Sequence, residues 1–410
     1  MVPKLRFSFK SALLPYKLGT LTQWSSGGTP SKDNKSYWDG DISWFTAASM
    51  KSNELSVSPT KISNSGLVNG SRLANKDDIL LLVRGSMLFN KIPVGILLND
   101  AAFNQDVKAI KSLKNFNHTF ALQWFLAKEP LLLSMVTGTG IGAGKLDTKE
   151  LQSLDVYLPG DEEQTKIADF LSSVDEKITL LSKQYELLCQ YKKGMMQKIF
   201  SQQLRFKDDN GESFPQWEKN ALSDLGNTYN GLTGKKAEDF GSGNFYVTYK
   251  QIFDSRIINP GNFGLVNILK DEKQNKVEYG DLFFTTSSET PDEVAFCSLF
   301  LETESVDYYL NSFCFGYRVK NIMKTSPVFL SLLFRSDYFR ASVKVLAQGS
   351  TRYNISKNQF VKLIVTIPVM EEQIKISNFL TAIDDKITAK KVQLDKLKIW
   401  KQGLLQQMFV

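Results

Sequence analysis

Residues 159–200 read PGDEEQTKIADFLSSVDEKITLLSKQYELLCQYKKGMMQKIF, and residues 368–409 read PVMEEQIKISNFLTAIDDKITAKKVQLDKLKIWKQGLLQQMF. The two stretches align without a gap at an offset of 209 residues, with 18 of 42 positions identical. A duplication this long implies two related bodies, each closed by the same element. Within the first copy, apolar residues recur at alternating spacings of four and three: Ile167, Leu171, Val174, Ile178, Leu181, Tyr185, Leu188, then Lys192, Met195 and Ile199. The second copy gives Ile376, Leu380, Ile383, Ile387, Lys390, Leu394, Leu397, Lys401, Leu404 and Met408. This is the seam of a coiled coil. A helix of about 40 residues spans roughly 60 Å. The seams match in phase and length, so burying one against the other is the simplest arrangement. Lys192 and Lys401 hold matching seam positions, where a polar residue costs stability and fixes register. Asp161 with Gln164 reads as a capping pair behind Pro159. Glu162-Glu163 and Glu371-Glu372 fall in first helical turns, where carboxylates complement the helix dipole.

Working outward, the segments before the helices repeat more weakly. Leu5-Arg6-Phe7 recurs as Leu204-Arg205-Phe206, and Asp78-Ile79-Leu80 parallels Asp281-Leu282-Phe283. Leu146, Leu151, Leu154 and Val156 parallel Ile355, Phe360, Leu363 and Val365. Short strand-like runs (78–83, 281–285, 363–367) mix with helical stretches at 120–135 and 327–345, which reads as an α+β chain. Residues 207–215, KDDNGESFP, are polar with Gly and Pro and mark a boundary. The expected division is body 1–158, helix 159–203, linker 204–216, body 217–367 and helix 368–410. The helices stayed alike while the bodies drifted, which suggests a shared mechanical role for the helices and different targets for the bodies.

The 410 residues suffice for two to three domains. A net charge of +7 and a pI near 9.0 favour a polyanionic partner such as nucleic acid. Three scattered cysteines, Cys189, Cys297 and Cys314, fit a reducing cytosol and give no zinc spacing. No apolar run is long enough to span a bilayer and the N-terminus lacks a signal-peptide core, so a cytoplasmic location is expected. Catalytic constellations are missing. The single histidine, His118, lies in a polar stretch. Residues 138–145, GTGIGAGK, resemble a phosphate loop, but Leu146 follows the lysine where Ser or Thr should stand. Asn259-Pro260-Gly261 lacks the aromatic of a base-gripping methyltransferase loop, and no Glu-x-Lys follows Pro291-Asp292. The pattern argues for binding and positioning, with catalysis supplied elsewhere.

Two variable bodies, each closed by P-x-x-E-E-Q-x-K-I-x-x-F-L-x-x-x-D-x-K-I-T, resemble the specificity subunit of a type I restriction–modification system. Gly27-Gly28-Thr29-Pro30-Ser31, then Tyr37-Trp38-x-Gly40-Asp41-Ile42-x-Trp44, resembles the opening of such a target-recognition domain. Asp78-Ile79-Leu80, Asn104-Gln105-Asp106 and Gly349-Ser350 agree with it. The second body opens differently, with Asn230-Gly231-Leu232-Thr233-Gly234. The resemblance implies two tandem α/β target-recognition domains related by a pseudo-twofold repeat, with their helices paired as an antiparallel coiled coil. Each domain would read one half of a bipartite double-stranded DNA target. The helices would set the unread gap and dock two modification (methyltransferase) subunits. S-adenosylmethionine would belong to those subunits, and ATP and Mg to restriction subunits; this chain would bind no cofactor and no metal and would catalyse nothing. A stand-alone DNA-modifying enzyme and a coiled-coil adaptor with no DNA role are the alternatives.

Bases are read by side chains at their edges, while affinity comes largely from phosphate contacts. Polar or basic residues in turns flanking the strand-like runs are therefore the candidates. In the first body these are Ser26, Thr29, Ser31, Lys32, Arg84, Ser86 and Lys145. In the second they are Thr248, Tyr249, Lys250, Ser287, Arg352 and Tyr353. Arg84 and Arg352 lead, because a guanidinium can grip guanine through two hydrogen bonds.

Overall fold

The computed structural model describes residues 3–7, 12–113, 115–140, 142–349 and 352–409; Ser350 of the Gly349-Ser350 pair and Ile141 of the glycine run lie outside them. The chain forms two compact units, Met1–Lys183 with Lys391–Val410, and Gln184–Lys390. The boundaries differ from those expected. The long helices, Asp161–Phe200 and Met370–Met408, do not stand apart as domains; each gives one part to each unit. Among the described residues no helix is long and apolar enough to cross a membrane.

In unit 1 a five-stranded sheet runs in the order Thr22–Ser26, Val107–Ser112, Ile79–Leu82, Val94–Leu97, Glu54–Leu55. Every pair is antiparallel except the last. All four residues of Ile79–Leu82 are buried, so this strand is covered on both faces, as a continuous apolar run requires. A four-stranded sheet (Lys61–Ile62, Ile42–Phe45, Ala101–Phe103, Leu73–Ala74) lies in the same unit. In unit 2 the strands Gly226–Asn230, Cys314–Val319, Leu282–Thr285 and Cys297–Leu299 repeat the order of the first four. The weak sequence repeat therefore carries a whole sheet. Residues 120–135 form two helices, His118–Ala127 and Glu129–Ser134, because Pro130 starts a new helix. Residues 327–345 likewise divide into Pro327–Phe334 and Asp337–Leu346, where Ser336 caps the second.

The E-E-Q motif fastens each long helix to its own body. Gln164 Nε2 donates to the carbonyls of Pro159 and Asn115, each at 3.0 Å, and its Oε1 accepts the N–H of Asn117 at 3.0 Å. Gln373 repeats this with Pro368 (2.8 Å), Lys324 (3.1 Å) and Ser326 (2.8 Å), all shifted by 209 residues. Gln164 thus serves the body and does not close a capping box with Asp161, which already lies inside the helix. The second glutamate is more than a dipole partner. Glu163 receives Arg6 through both carboxylate oxygens, at 2.8 and 2.5 Å, and is itself fully buried. Glu372 receives Arg205 at 2.8 and 2.7 Å and the indole N–H of Trp217 at 3.1 Å. The carboxylates hold both guanidinium pKa values above the ordinary range. The neighbouring phenylalanines follow suit, Phe7 edge-on to Phe170 and Phe206 edge-on to Phe379.

The helices pair within each unit. In unit 1, Ile167, Leu171 and Val174 share a core with Leu404, Leu405 and Met408. In unit 2, Ile199 and Phe200 share one with Ile376, Leu380 and Ile383. The start of one helix meets the end of the other each time, so the pairing is antiparallel. Every seam position of both helices is buried or half-buried. The first turns of each seam also pack into their own body, so the helices are buried both against each other and against the bodies.

Candidate nucleic-acid interface

Three strands of the unit 1 sheet finish at the same end. Ser26 pairs with Lys108, and Val107 pairs with Leu82, so the segments 27–34, 104–106 and 83–86 all leave from one edge. The N–H groups of Val83 and Arg84 both donate to the Asp106 carbonyl, at 2.9 and 3.3 Å. Thr29 Oγ1 donates to Gln105 Oε1 at 2.6 Å, and Lys108 Nζ donates to the Ser26 hydroxyl. Arg84 lies opposite Lys145 in a small sheet, Thr137–Gly138 / Gly144–Lys145 / Arg84–Gly85. Five of the seven candidates, Ser26, Thr29, Arg84, Ser86 and Lys145, therefore converge. Ser31 and Lys32 follow on residues 31–34, the exposed part of that segment, where the Ser31 carbonyl accepts the Trp38 indole N–H at 3.0 Å. Arg84, Lys32 and Lys145 are exposed, and no salt bridge is formed by them among the described residues.

Close backbone approach shapes this edge. A Cβ on Gly27 would lie 2.1 Å from the Phe103 carbonyl oxygen, and one on Gly28 would lie 2.4 Å from that of Gly70. Trp44 Nε1 donates to the Gly28 carbonyl at 3.0 Å and meets Trp38 edge-on. The Gly-Gly-Thr-Pro and Trp-x-Gly-Asp-Ile motifs thus build the loop's seat. The glycine run 138–145 is the turn of a hairpin: the Gly142 N–H donates to the Thr139 carbonyl with Gly142 at φ +75°.

Unit 2 reproduces the edge on different residues. Cys314 pairs with Thr285 and Phe315 with Asn230. The Thr286 N–H donates to the Phe313 carbonyl at 2.9 Å, and Ser287–Ser288 pairs with Tyr353–Asn354. A Cβ on Gly231 would lie 2.1 Å from the Asn311 carbonyl oxygen, the counterpart of Gly27 against Phe103. An open cavity of about 380 Å³ lies here, lined by Tyr249, Phe253, Phe313, Ser287, Glu289 and Arg352 among others. Three candidates thus share one recess. Tyr249 is oriented by its hydroxyl, which donates to the Ser287 carbonyl at 2.7 Å, and Tyr353 is half-buried opposite Ser288. The other two have local work. Thr248 caps the helix Tyr249–Asp254 in a reciprocal box with Gln251, and Lys250 pairs with Asp254 one turn on, at 3.4 Å.

Selecting for basic and hydroxyl side chains passed over Glu289, exposed on the recess wall, and Phe313, 61% exposed at its rim. Restricting the choice to turns left out the strand residue Lys108, which bonds Ser26, and Gln105 of the Asn104-Gln105-Asp106 motif, which accepts from Thr29. Thiol chemistry has no footing at this edge: burial pushes the Cys297 thiol up to about 12 and raises that of Cys314 as well, so both stay protonated.

The family described as type I restriction modification DNA specificity domain matches residues 14–190 and 215–398, once per copy. The chain belongs to this family. It is 24% identical over 363 residues to the type I restriction enzyme MjaVIII specificity subunit of Methanocaldococcus jannaschii, covering 83% of this chain and 80% of that one. It is 28% identical over 193 residues to the EcoR124I/EcoR124II specificity subunit of Escherichia coli, covering 44% and 48%. The fold matches the crystal structure of a type I restriction–modification S subunit from M. genitalium with a TM-score of 0.61 at 15% identity, over 100% of this chain and 99% of that one.

Proposed function

We infer that this chain is the DNA specificity subunit of a type I restriction–modification complex, each unit reading one half of a split target. One observation carries the reading. The two units present the same sheet edge, built by matching backbone hydrogen bonds, with different side chains on it. Arg84 and Lys145 mark the first edge; Tyr249, Glu289, Phe313 and Arg352 mark the second. A fixed frame with exchanged side chains suits two different half-sites. The paired helices set the unread gap between them.

The chain contributes no catalysis. Modification subunits bring S-adenosylmethionine and methylate adenine, and restriction subunits bring ATP and Mg²⁺. Apolar side chains left exposed on the helices outside the seam support docking of modification subunits: Leu180 and Ile399 in unit 1, Leu187 and Tyr191 in unit 2. The deciding experiment is an adenine-methylation map of DNA treated with this chain, a modification subunit and S-adenosylmethionine. A split motif with one fixed gap is expected. Methylation without sequence preference from an assembled complex would instead favour a coiled-coil adaptor.

A further inference from the structure

Asp175 and Asp384 hold the same position in the two long helices, and in neither unit do the helices alone satisfy them. In unit 1, Asp175 Oδ1 receives Lys401 Nζ of the other helix at 2.5 Å, while Oδ2 receives Gln123 Nε2 of the body helix His118–Ala127 at 2.9 Å. In unit 2, Asp384 Oδ1 receives Lys192 Nζ at 2.5 Å, while Oδ2 receives Arg256 Nη2 at 3.2 Å. Arg256 belongs to the body, and its Nη1 donates to Ser331 Oγ at 3.0 Å. One carboxylate oxygen faces the partner helix and the other faces the recognition body. The body residue differs in type and comes from a different element in each unit, so the contact has been made twice by separate means in otherwise diverged bodies.

We propose that Gln123 and Arg256 are positioning residues for DNA recognition: each locks its body to the helix pair through the seam aspartate, and so holds the reading edge at one place on the spacer. The proposal rests on the specificity-subunit reading above. Mechanically, the E-E-Q clamp grips the helix at Gln164 or Gln373, and the aspartate clasp grips it eleven residues further on, about 17 Å along the axis at 1.5 Å per residue. Apolar packing of the first turns lets a body rock about the E-E-Q clamp, whereas a second directional tie at the aspartate fixes its angle. The clasp is also shielded. Gln123 is 1% exposed and the Arg256 side chain 9%, so these bonds are worth more than surface contacts. A swinging body would carry its half-site contacts along the DNA, and one target gap would broaden into several.

The test uses the complete chain assembled with modification subunits, comparing wild type with Gln123→Met and Arg256→Met. Gln123→Met keeps side-chain length and Arg256→Met keeps an unbranched apolar stem two atoms shorter; both remove the donor and leave the helix–helix ion pairs intact. The readout is the methylation map, scored separately for half-site sequence and for gap length. Expected is an unchanged pair of half-sites, with methylation at gaps one base pair longer or shorter raised about tenfold, the loss of one charge-assisted hydrogen bond. Arg256→Lys, which keeps a donor in reach, should restore much of the single gap. If a methionine variant does not assemble, Gln123→Asn and Arg256→Gln, which stay polar but fall short of the aspartate, decide by the same readout. An unchanged single gap in assembled variants overturns the proposal, because a packing role alone does not move gap length. A wild-type map with no split motif overturns the specificity reading itself, so the two failures are told apart.

Discussion

Asp78 and Asp281 open corresponding strands in the two units, yet their surroundings predict opposite responses to the same substitution. Asp78 accepts the N–H of Asn75 at 2.9 Å and forms no salt bridge among the described residues; burial raises its pKa above the ordinary carboxyl value. A raised folded value means ionisation is disfavoured in the fold. Asp78 thus lowers stability as pH rises from the ordinary carboxyl value through the raised one. Asp78→Asn keeps the acceptor and removes that loss, so it should leave stability at neutral pH equal or slightly higher and flatten melting curves taken across the acidic range. Asp281 instead anchors Arg318 at 2.8 and 2.7 Å, the Tyr229 hydroxyl at 2.6 Å and the Glu278 N–H at 2.8 Å. Asp281→Asn removes the buried charge facing Arg318, which keeps Glu278 and the Lys276 carbonyl, and should cost about 1.5–3 kcal/mol, lowering the melting temperature by about 6 °C. At the reading edges, sign separates a base reader from a bystander. A carboxylate near phosphates repels them, so if Glu289 were idle, Glu289→Ala would raise affinity for every DNA sequence alike. As a base reader it accepts from an exocyclic amino group. Glu289→Ala should then weaken the cognate sequence by about 1–3 kcal/mol and strengthen non-cognate DNA. Arg84→Ala should relax one base of the other half-site only. Both are read by competition binding of the assembled complex at fixed salt.

At the scale of the element, the helices carry their own instruction for direction. Both copies place an aspartate and a lysine at matching positions: Asp175 with Lys192, Asp384 with Lys401. Side by side in parallel, lysine would face lysine and aspartate would face aspartate. Antiparallel, each lysine meets an aspartate, and both pairs close at 2.5 Å. The polar seam residues thus select orientation as well as register. Lys401→Glu should place two carboxylates together in a partly buried seam and destabilise by about 2 kcal/mol. Adding Asp175→Lys should recover most of that loss. Among the described residues the Gln123 Oε1 has no hydrogen-bond partner, so an amide flip can offer it to the new ammonium. A double-mutant cycle on denaturant unfolding measures the coupling; additive losses would show that the lysine serves packing alone.

Across the whole molecule, what was legible in the sequence was whatever depends on neighbours three or four residues away. The seam was readable because heptad phase is local. The capping box at Thr248 is equally readable from the Gln three residues on. The E-E-Q motif was visible as a repeat, but its partners were not: Arg6 lies 157 residues from Glu163, and Arg205 lies 167 from Glu372. The second reading edge was hidden because main-chain groups hold it. The Leu232 N–H bonds the Leu310 carbonyl where Gly28 bonds Phe103, so the Gly-Gly signature could vanish while the geometry stayed. Helix length is the molecule-scale variable that remains readable, and it carries a prediction. A heptad inserted after Lys183 and another after Lys390 preserves seam phase and antiparallel register, since each new turn finds a new partner. Each helix lengthens by about 10 Å, equal to about three base pairs at 3.4 Å of rise. The methylated motif should keep both half-sites and gain a gap about three base pairs longer. Three base pairs also turn the duplex by nearly a third of its 10.5-pair repeat. The supercoil does not supply that full rotation, so methylation should be slower than wild type at the new gap, and absent at the old one. A variant that still prefers the original gap would show that the bodies, and not the helices, set the spacing.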